Sequence, residues 1–301
     1  MLEQGRNGMI AQFLANGLIK GCIFALLALG FGVIYNTTRI FHIAHGAIYT
    51  LSAYAIYTFY IKLKLVLPVC VALTLLVAIA AGILTDRVIY LPLVRRKASS
   101  LILLLSSLGL YIIIENGIAM AYGNETKVLW PGAQPTYQFG NVILTYVQVA
   151  SAITFLVLFL FLLLWLRKTN LGLLTRAARD DEELLTVTGT NPGRVRNIVF
   201  GLGSALAAVA AMLVAFDVGI DPHIGFDALL VAAVAVIIGG VGIFEGAALG
   251  AFIIGVAQSL AVWKVSARWE QAITFLLLIL FLVFRPQGIL GKRRRIEEAE
   301  A

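Results

Sequence analysis

The ionisable side chains of this sequence are few, and those that interrupt apolar runs are the ones that can do chemistry. His42 and His45 stand at i, i+3 in NTTRIFHIAHGAIYTLS, residues 36–52, followed by Gly46 and Tyr49. Asp221, Pro222, His223 and Asp227 precede the glycine-rich run IIGGVGIFEGAALG, which holds Gly239, Gly240 and Glu245. Glu115 lies inside a third apolar run. Ionisable groups at membrane depth are costly and face a cavity, a partner or a proton relay. His42, His45, Gly46, Tyr49, Glu115, Asp221, Gly239, Gly240 and Glu245 are therefore the candidates for a solute pathway. Glycine at this density either lets helices pack closely or permits non-helical backbone, and such backbone is tolerated in a bilayer only where protein or a water-filled cavity surrounds it.

Several chemistries are disfavoured. His42 and His45 are spaced to share a metal, but no Cys, Asp or Glu is close in sequence to complete a ligand set. There is no G-x-x-x-x-G-K-[ST] loop, so ATP would have to be hydrolysed on another chain. No H-E-x-x-H is present, and Ser204, in Gly-Leu-Gly-Ser-Ala, lacks the second glycine of a nucleophile elbow. A transport role without catalysis, resident cofactor or metal is expected.

Composition points to the elements that must position these residues. The 301 residues are 60% hydrophobic and 13% charged, with mean hydropathy +0.94, which is the profile of a polytopic membrane protein. The net charge of +7 lacks the aromatic interleaving of a nucleic-acid face and reads as a topology signal. Cys22 and Cys70 lie in apolar runs and read as packing residues. Asking for roughly 20 apolar residues per span gives Ile10–Tyr35, Ala44–Tyr60, Val66–Tyr90, Leu101–Tyr122, Val142–Leu166, Ile198–Val218, Ala228–Val241, Gly246–Trp263 and Trp269–Phe284. The expected fold is an all-α bundle of eight or nine spans forming a single domain over 1–301. The second and seventh segments are short, so each half carries one glycine-containing segment that is broken or re-entrant. The first run is too long for a cleavable signal.

Basic residues cluster at Arg87–Lys97, at Arg167–Arg196 and at Arg285–Arg295, which the positive-inside rule assigns to the cytoplasm together with the C-terminal tail, 285–301. The loop from Gly123 to Asn141 has Lys127 as its one basic residue and reads as external. Loop 167–197 contains LGLLTRAARDDEELLTVTGTNPGRVR, Leu171–Arg196, whose charge density places it in water. Leu171, Leu174 and Ala178 recur at helical spacing, Leu184, Leu185 and Val187 add a second apolar patch, and Gly189 and Asn191-Pro192 are stop signals. This is a short amphipathic helix presenting Arg176, Ala177, Asp180, Glu183, Leu184, Leu185 and Gly189 to a soluble partner.

Four blocks, in order, carry a family resemblance: ANGLIKGCIFALLALGFGVIYNTTRIFHIAHGAIYTLSAY (15–54), the charged loop, DPHIGFDALLVAAVAVIIGGVGIFEGAALGAFIIG (221–255) and FRPQGILG (284–291). Together they resemble the branched-chain amino-acid ABC importer permeases of the LivH type. The resemblance implies a bacterial inner-membrane subunit. Its partners would be a second homologous permease, two ATP-binding subunits that hold ATP and Mg, and a periplasmic or lipoprotein solute-binding protein. It also maps a coupling helix onto Arg176–Gly189. Departures are His42-Ile43 before Ala-His-Gly, Ala47 after it, and Gln258 where Glu is frequent. Because these remove charge, urea, short amides and other amino acids stay open as solutes beside leucine, isoleucine and valine. A proton-coupled secondary transporter using His45, Glu115 or Glu245 is the rival reading, and the long amphipathic loop favours the importer.

Overall fold

The computed structural model describes residues 2–130, 132–180 and 191–291. Among the described residues ten α-helices follow in order: α1 (Leu2–Thr38), α2 (Ala44–Tyr57), α3 (Leu67–Arg95, with one π turn at Asp86–Tyr90), α4 (Ser100–Tyr122), α5 (Tyr146–Lys168), α6 (Asn170–Asp180), α7 (Pro192–Asp217), α8 (Ile224–Gly239), α9 (Phe244–Lys264) and α10 (Glu270–Phe284). Local chemistry sets several boundaries. Ser99 accepts from Ile102 N–H at the start of α4, and Thr145 with Gln148 forms a capping box on α5. Such caps satisfy amide groups that a helix start leaves unpaired.

Among the described residues, seven helices are long and apolar enough to cross a membrane; α8 is shorter, and so is α2, with 14 residues before its π-helical extension. These two correspond to the second and seventh segments, read above as short. Between α4 and α5 the all-α expectation is corrected, because Thr136–Phe139 (β1) and Val142–Thr145 (β2) form an antiparallel hairpin. Alternating β-formers around Gly140, whose φ is +60°, give a two-residue turn with glycine where a left-handed residue is needed. The fifth span consequently starts at Tyr146.

A second correction concerns the charged loop, read above as lying wholly in water. Asn191 caps α7 by accepting from Gly193 N–H, and Pro192 occupies its first turn. The helix thus begins before Arg196, whose guanidinium is buried and forms a two-point ion pair with buried Asp86 of α3. A buried arginine is tolerable when a carboxylate meets both arms of its fork. Residues 181–190, with Glu183, Leu184, Leu185 and Gly189, lie outside the described residues, as does the side chain of Asp180.

The bundle has a centre and a rim. The most apolar stretch of α1 is 83% buried and that of α10 only 6%, so α1 is the axis around which the rest pack. α1 and α7 run antiparallel: Gln12 exchanges two hydrogen bonds with Ile143 of the hairpin, and Thr145 beside it bonds Asp217, the last residue of α7. Where they cross, a Cβ on Gly30 would stand 2.6 Å from the Gly203 carbonyl, and one on Gly203 2.7 Å from the Gly30 carbonyl. α2 and α8 meet in the same reciprocal way at Gly46 and Gly225, where a Cβ on Gly46 would stand 2.5 Å from the Gly225 carbonyl. The contacts of the flanking helices match as well. α1 packs on α9, with Ser259 Oγ donating to Phe13 O, and α7 packs on α3 through Arg196–Asp86; α2 packs on α4, and α8 on α10. Helices α1–α4 and α7–α10 are therefore two inverted copies of one arrangement, with α5 and α6 between them.

Candidate functional site

Four of the sequence candidates come together where α2 begins. The short loop after α1 turns back so that His42, His45, Gly46 and Tyr49 are all buried among α1, α3, α4 and α7. Ala44 N–H donates to Ser107 Oγ at 2.9 Å, Tyr90 OH donates to the same oxygen at 2.6 Å, and His42 Nδ1 lies 2.7 Å from Tyr90 OH. Ser107 thereby caps α2 from the neighbouring helix. The His42 ring is enclosed by Tyr90 at 5.5 Å and Phe200 at 5.3 Å, and Phe31 lies 6.2 Å from His45. With these rings around them and the Gly225 carbonyl against Gly46, the four residues make a packed hub.

Glu115 and Asp221 belong to a different place. Glu115 sits on α4 seven residues before its end at Tyr122, roughly 10 Å into the helix. Its carboxylate is 2.5 Å from His223 Nδ1, just before α8, and the His223 side chain is 63% exposed. Asp221 Oδ1 accepts from His223 N–H, and Asp227 lies in the first turn of α8, where its charge suits the helix dipole. The pair lies on the outside of the bundle. Alongside it α4 presents Ser106, Gly109, Asn116 and Gly117 at helical spacing. A Cβ on Gly109 or Gly117 would meet nothing within 4 Å, so neither glycine is required by packing within this chain.

Glu245, expected near the membrane interior, is found instead at the end rich in arginines. It occupies the first turn of α9 and pairs with Arg167 at the end of α5 at 2.6 Å. Those two residues, with Leu166, Arg176, Gly242 and Phe244, line a cavity of about 240 Å³ where α6 approaches the α8–α9 turn. Gly239 and Gly240 form that turn: Gly239 lies against the Gly246 carbonyl, and Gly240, at φ +109°, against Gly291. Asn36, at the end of α1, accepts from Gly242 N–H at 3.0 Å, while Ile289 N–H and Leu290 N–H donate to Ile238 O and Gly239 O. The FRPQGILG block is thus a strap across the end of α8. On α6, Thr175 and Ala178 are buried, Arg176 and Ala177 are half-buried, and Leu171 and Leu173 face outward.

The sequence reading missed His223 as the partner of Glu115, and it missed Asn36. A histidine just before a helix start, with one carboxylate isolated in another span, was the available signal for the first. Residues 13–282 match the family described as "Branched-chain amino acid transport system / permease component". The chain belongs to this permease family. It is 33% identical to the high-affinity branched-chain amino acid transport system permease protein BraD of Pseudomonas aeruginosa, over 93% of this chain and 95% of that one. It is 31% identical to LivH of Escherichia coli, again over 93% and 95%. LivM, another Escherichia coli permease of a high-affinity branched-chain amino acid transport system, is 25% identical over 90% of this chain and 68% of its own. The solved structure titled PsaBC from Streptococcus pneumoniae in complex with Fab superposes with TM-score 0.52 at 13% identity, covering all of both chains. That likeness extends to the fold. As a member of the permease family the chain is a multi-pass inner-membrane protein.

Proposed function

We propose that this family member is one permease half of an ATP-driven importer of branched-chain amino acids. Its solute path runs along the outer face of α4 and the start of α8, against a second permease, with Glu115 and His223 in it. The observation that carries this is the exposure of His223, paired with the part-buried carboxylate of Glu115 and beside Asn116 and two uncrowded glycines, at a depth where lipid would surround it. Hydrocarbon does not accept such a surface, whereas a partner helix and a hydrated path do. The hub at His42, His45, Gly46 and Tyr49 has the opposite character, and its role is to hold the two short helices α2 and α8 together. One acid and one base that separate when a solute enters are the complement of an amino-acid zwitterion.

Work comes from ATP, held with Mg on two partner subunits. This chain receives it through α6 and loop 167–197, with Leu171 and Leu173 outward and Arg176 facing the α8–α9 turn. Movement of α6 would bear on Arg167–Glu245 and the strap, and so on α8, whose far end carries His223. A solute-binding protein delivers the solute on the hairpin side, and the C-terminal tail is cytoplasmic. The path alternates between sides because the nucleotide states favour different permease conformations.

The test is leucine uptake into proteoliposomes holding the whole importer and its binding protein. Glu115→Gln and His223→Ala should each lower ATP-dependent uptake about tenfold or more, in line with losing one charge-assisted contact, while ATP hydrolysis without solute continues. Uptake unchanged in both variants would remove the pair from the path. Uptake driven by a proton gradient without ATP would replace the importer by a proton-coupled transporter.

A further inference from the structure

The arginine-rich end has a further cavity, which shares none of the residues lining the one at Arg167 and Glu245. It measures about 440 Å³ and lies between the end of α3 and the start of α7, lined by Asp86, Arg87, Leu91, Arg95, Asn191, Gly193, Arg194 and Asn197. Its acid is already neutralised, because both Asp86 oxygens bond Arg196. Arg87 spends its Nε on the neutral amide oxygen of Asn197. Among the described residues, no carboxylate lies within ion-pair distance of Arg87, Arg95 or Arg194. Three guanidinium groups around one cavity, none paired with a carboxylate among the described residues, make a seat for an anion with several oxygens, since each guanidinium offers a planar fork of donors.

The surface leading to the cavity says which anion. Leu84 and Val88 are 61% and 62% exposed on α3, an outward apolar stripe from which the helix continues through half-buried Leu91 to exposed Arg95. The apolar stripe of a membrane-spanning helix therefore ends in the basic cavity, at the depth where headgroups lie. An amphiphile with acyl chains along the stripe and a phosphate among the arginines fits both parts, whereas a free anion uses only one. We infer that this cavity binds the headgroup phosphate of an anionic phospholipid from the leaflet at the arginine-rich end. Basic pockets between helices on that side of a membrane have the charge such headgroups need. The seat lies beside Asn191, so an occupying lipid steadies the start of α7.

The test is native mass spectrometry of the intact transporter complex, equilibrated in detergent with phosphatidylglycerol or phosphatidylcholine. Phosphatidylglycerol should stay bound to the wild type. The Arg95→Gln/Arg194→Gln double variant should hold it about thirtyfold more weakly, the scale set by removing two basic residues at a membrane surface. Arg96→Gln/Lys97→Gln, outside the cavity, is the control and should retain it. Equal loss in both double variants reduces the effect to general surface charge and overturns the site. Displacement of the lipid by inorganic phosphate at equal concentration overturns the lipid reading in favour of a free-anion site. A double variant that keeps its lipid but sheds the ATP-binding subunits overturns it in favour of protein contact. Retention of leucine uptake alongside loss of bound lipid leaves the importer reading intact, so the two can fail separately.

Discussion

At the scale of single residues, the sequence reveals which groups are costly and conceals how the cost is met. Arg196 sits in a run of charges that reads as solvated, and its partner Asp86 is 110 residues away. Glu115 is recognisable as an isolated carboxylate, yet its base is 108 residues distant. Nothing in local spacing joins either pair; only the packing of α3 on α7 and of α4 beside α8 does. The Arg196–Asp86 pair gives a direct test of burial. Asp86→Asn leaves a guanidinium buried without a counter-charge, and should destabilise the folded protein by roughly 3–5 kcal/mol. Replacing both residues, Asp86→Leu with Arg196→Met, removes two charges from the interior and should recover most of that loss. Thermal unfolding of the purified protein in detergent would check both, and a double variant no more stable than the single one would show that the pair itself drives α3–α7 packing.

At the scale of elements, the apolar runs and their lengths were legible, including the shortness of the second and seventh, because a span needs a set number of apolar residues whatever surrounds it. The hairpin was not legible, since Thr136–Thr145 is brief and its second strand falls in the apolar run read as the start of the fifth span. The function of each glycine was not legible either, because a glycine in an apolar run looks the same whether it meets its own chain or nothing. The structure separates the two kinds, and they should respond differently. Gly46→Ala drives a methyl into the Gly225 carbonyl and should cost about 1–3 kcal/mol in the isolated chain. Gly117→Leu has room here and should leave the isolated chain as stable as the wild type, while disrupting association with the second permease if α4 faces it. Thermal unfolding and co-purification of the paired subunit, measured on both variants, distinguish these outcomes. A Gly117→Leu protein that pairs normally would move the permease contact off α4.

For the whole molecule, topology and symmetry give one joint expectation. Cysteine at Asn141, in the exposed hairpin turn, should be labelled by an impermeant thiol reagent on intact cells, and cysteine at Lys97 only after permeabilisation; the reverse pattern would invert the assignment of sides. The inversion of the two halves also has a cause in simple counting. With the short α2 counted as a pass, as in the nine-segment reading of the sequence, α1–α4 make an even number and return the chain to the side from which it set out. A copy joined directly to α4 would therefore enter the membrane in the same sense as the first, and the crossings of Gly30 with Gly203 and of Gly46 with Gly225 could not face one another. α5 is the odd pass that reverses the second copy. It also delivers the chain to the arginine-rich side at the seam between the copies, where α6 follows it, so the element proposed to receive force from the ATP-binding subunits sits where one half ends and its mirror-sense counterpart begins. Parity, more than packing, fixes that address: any even number of passes inserted between the halves would move α6 to the other face of the membrane.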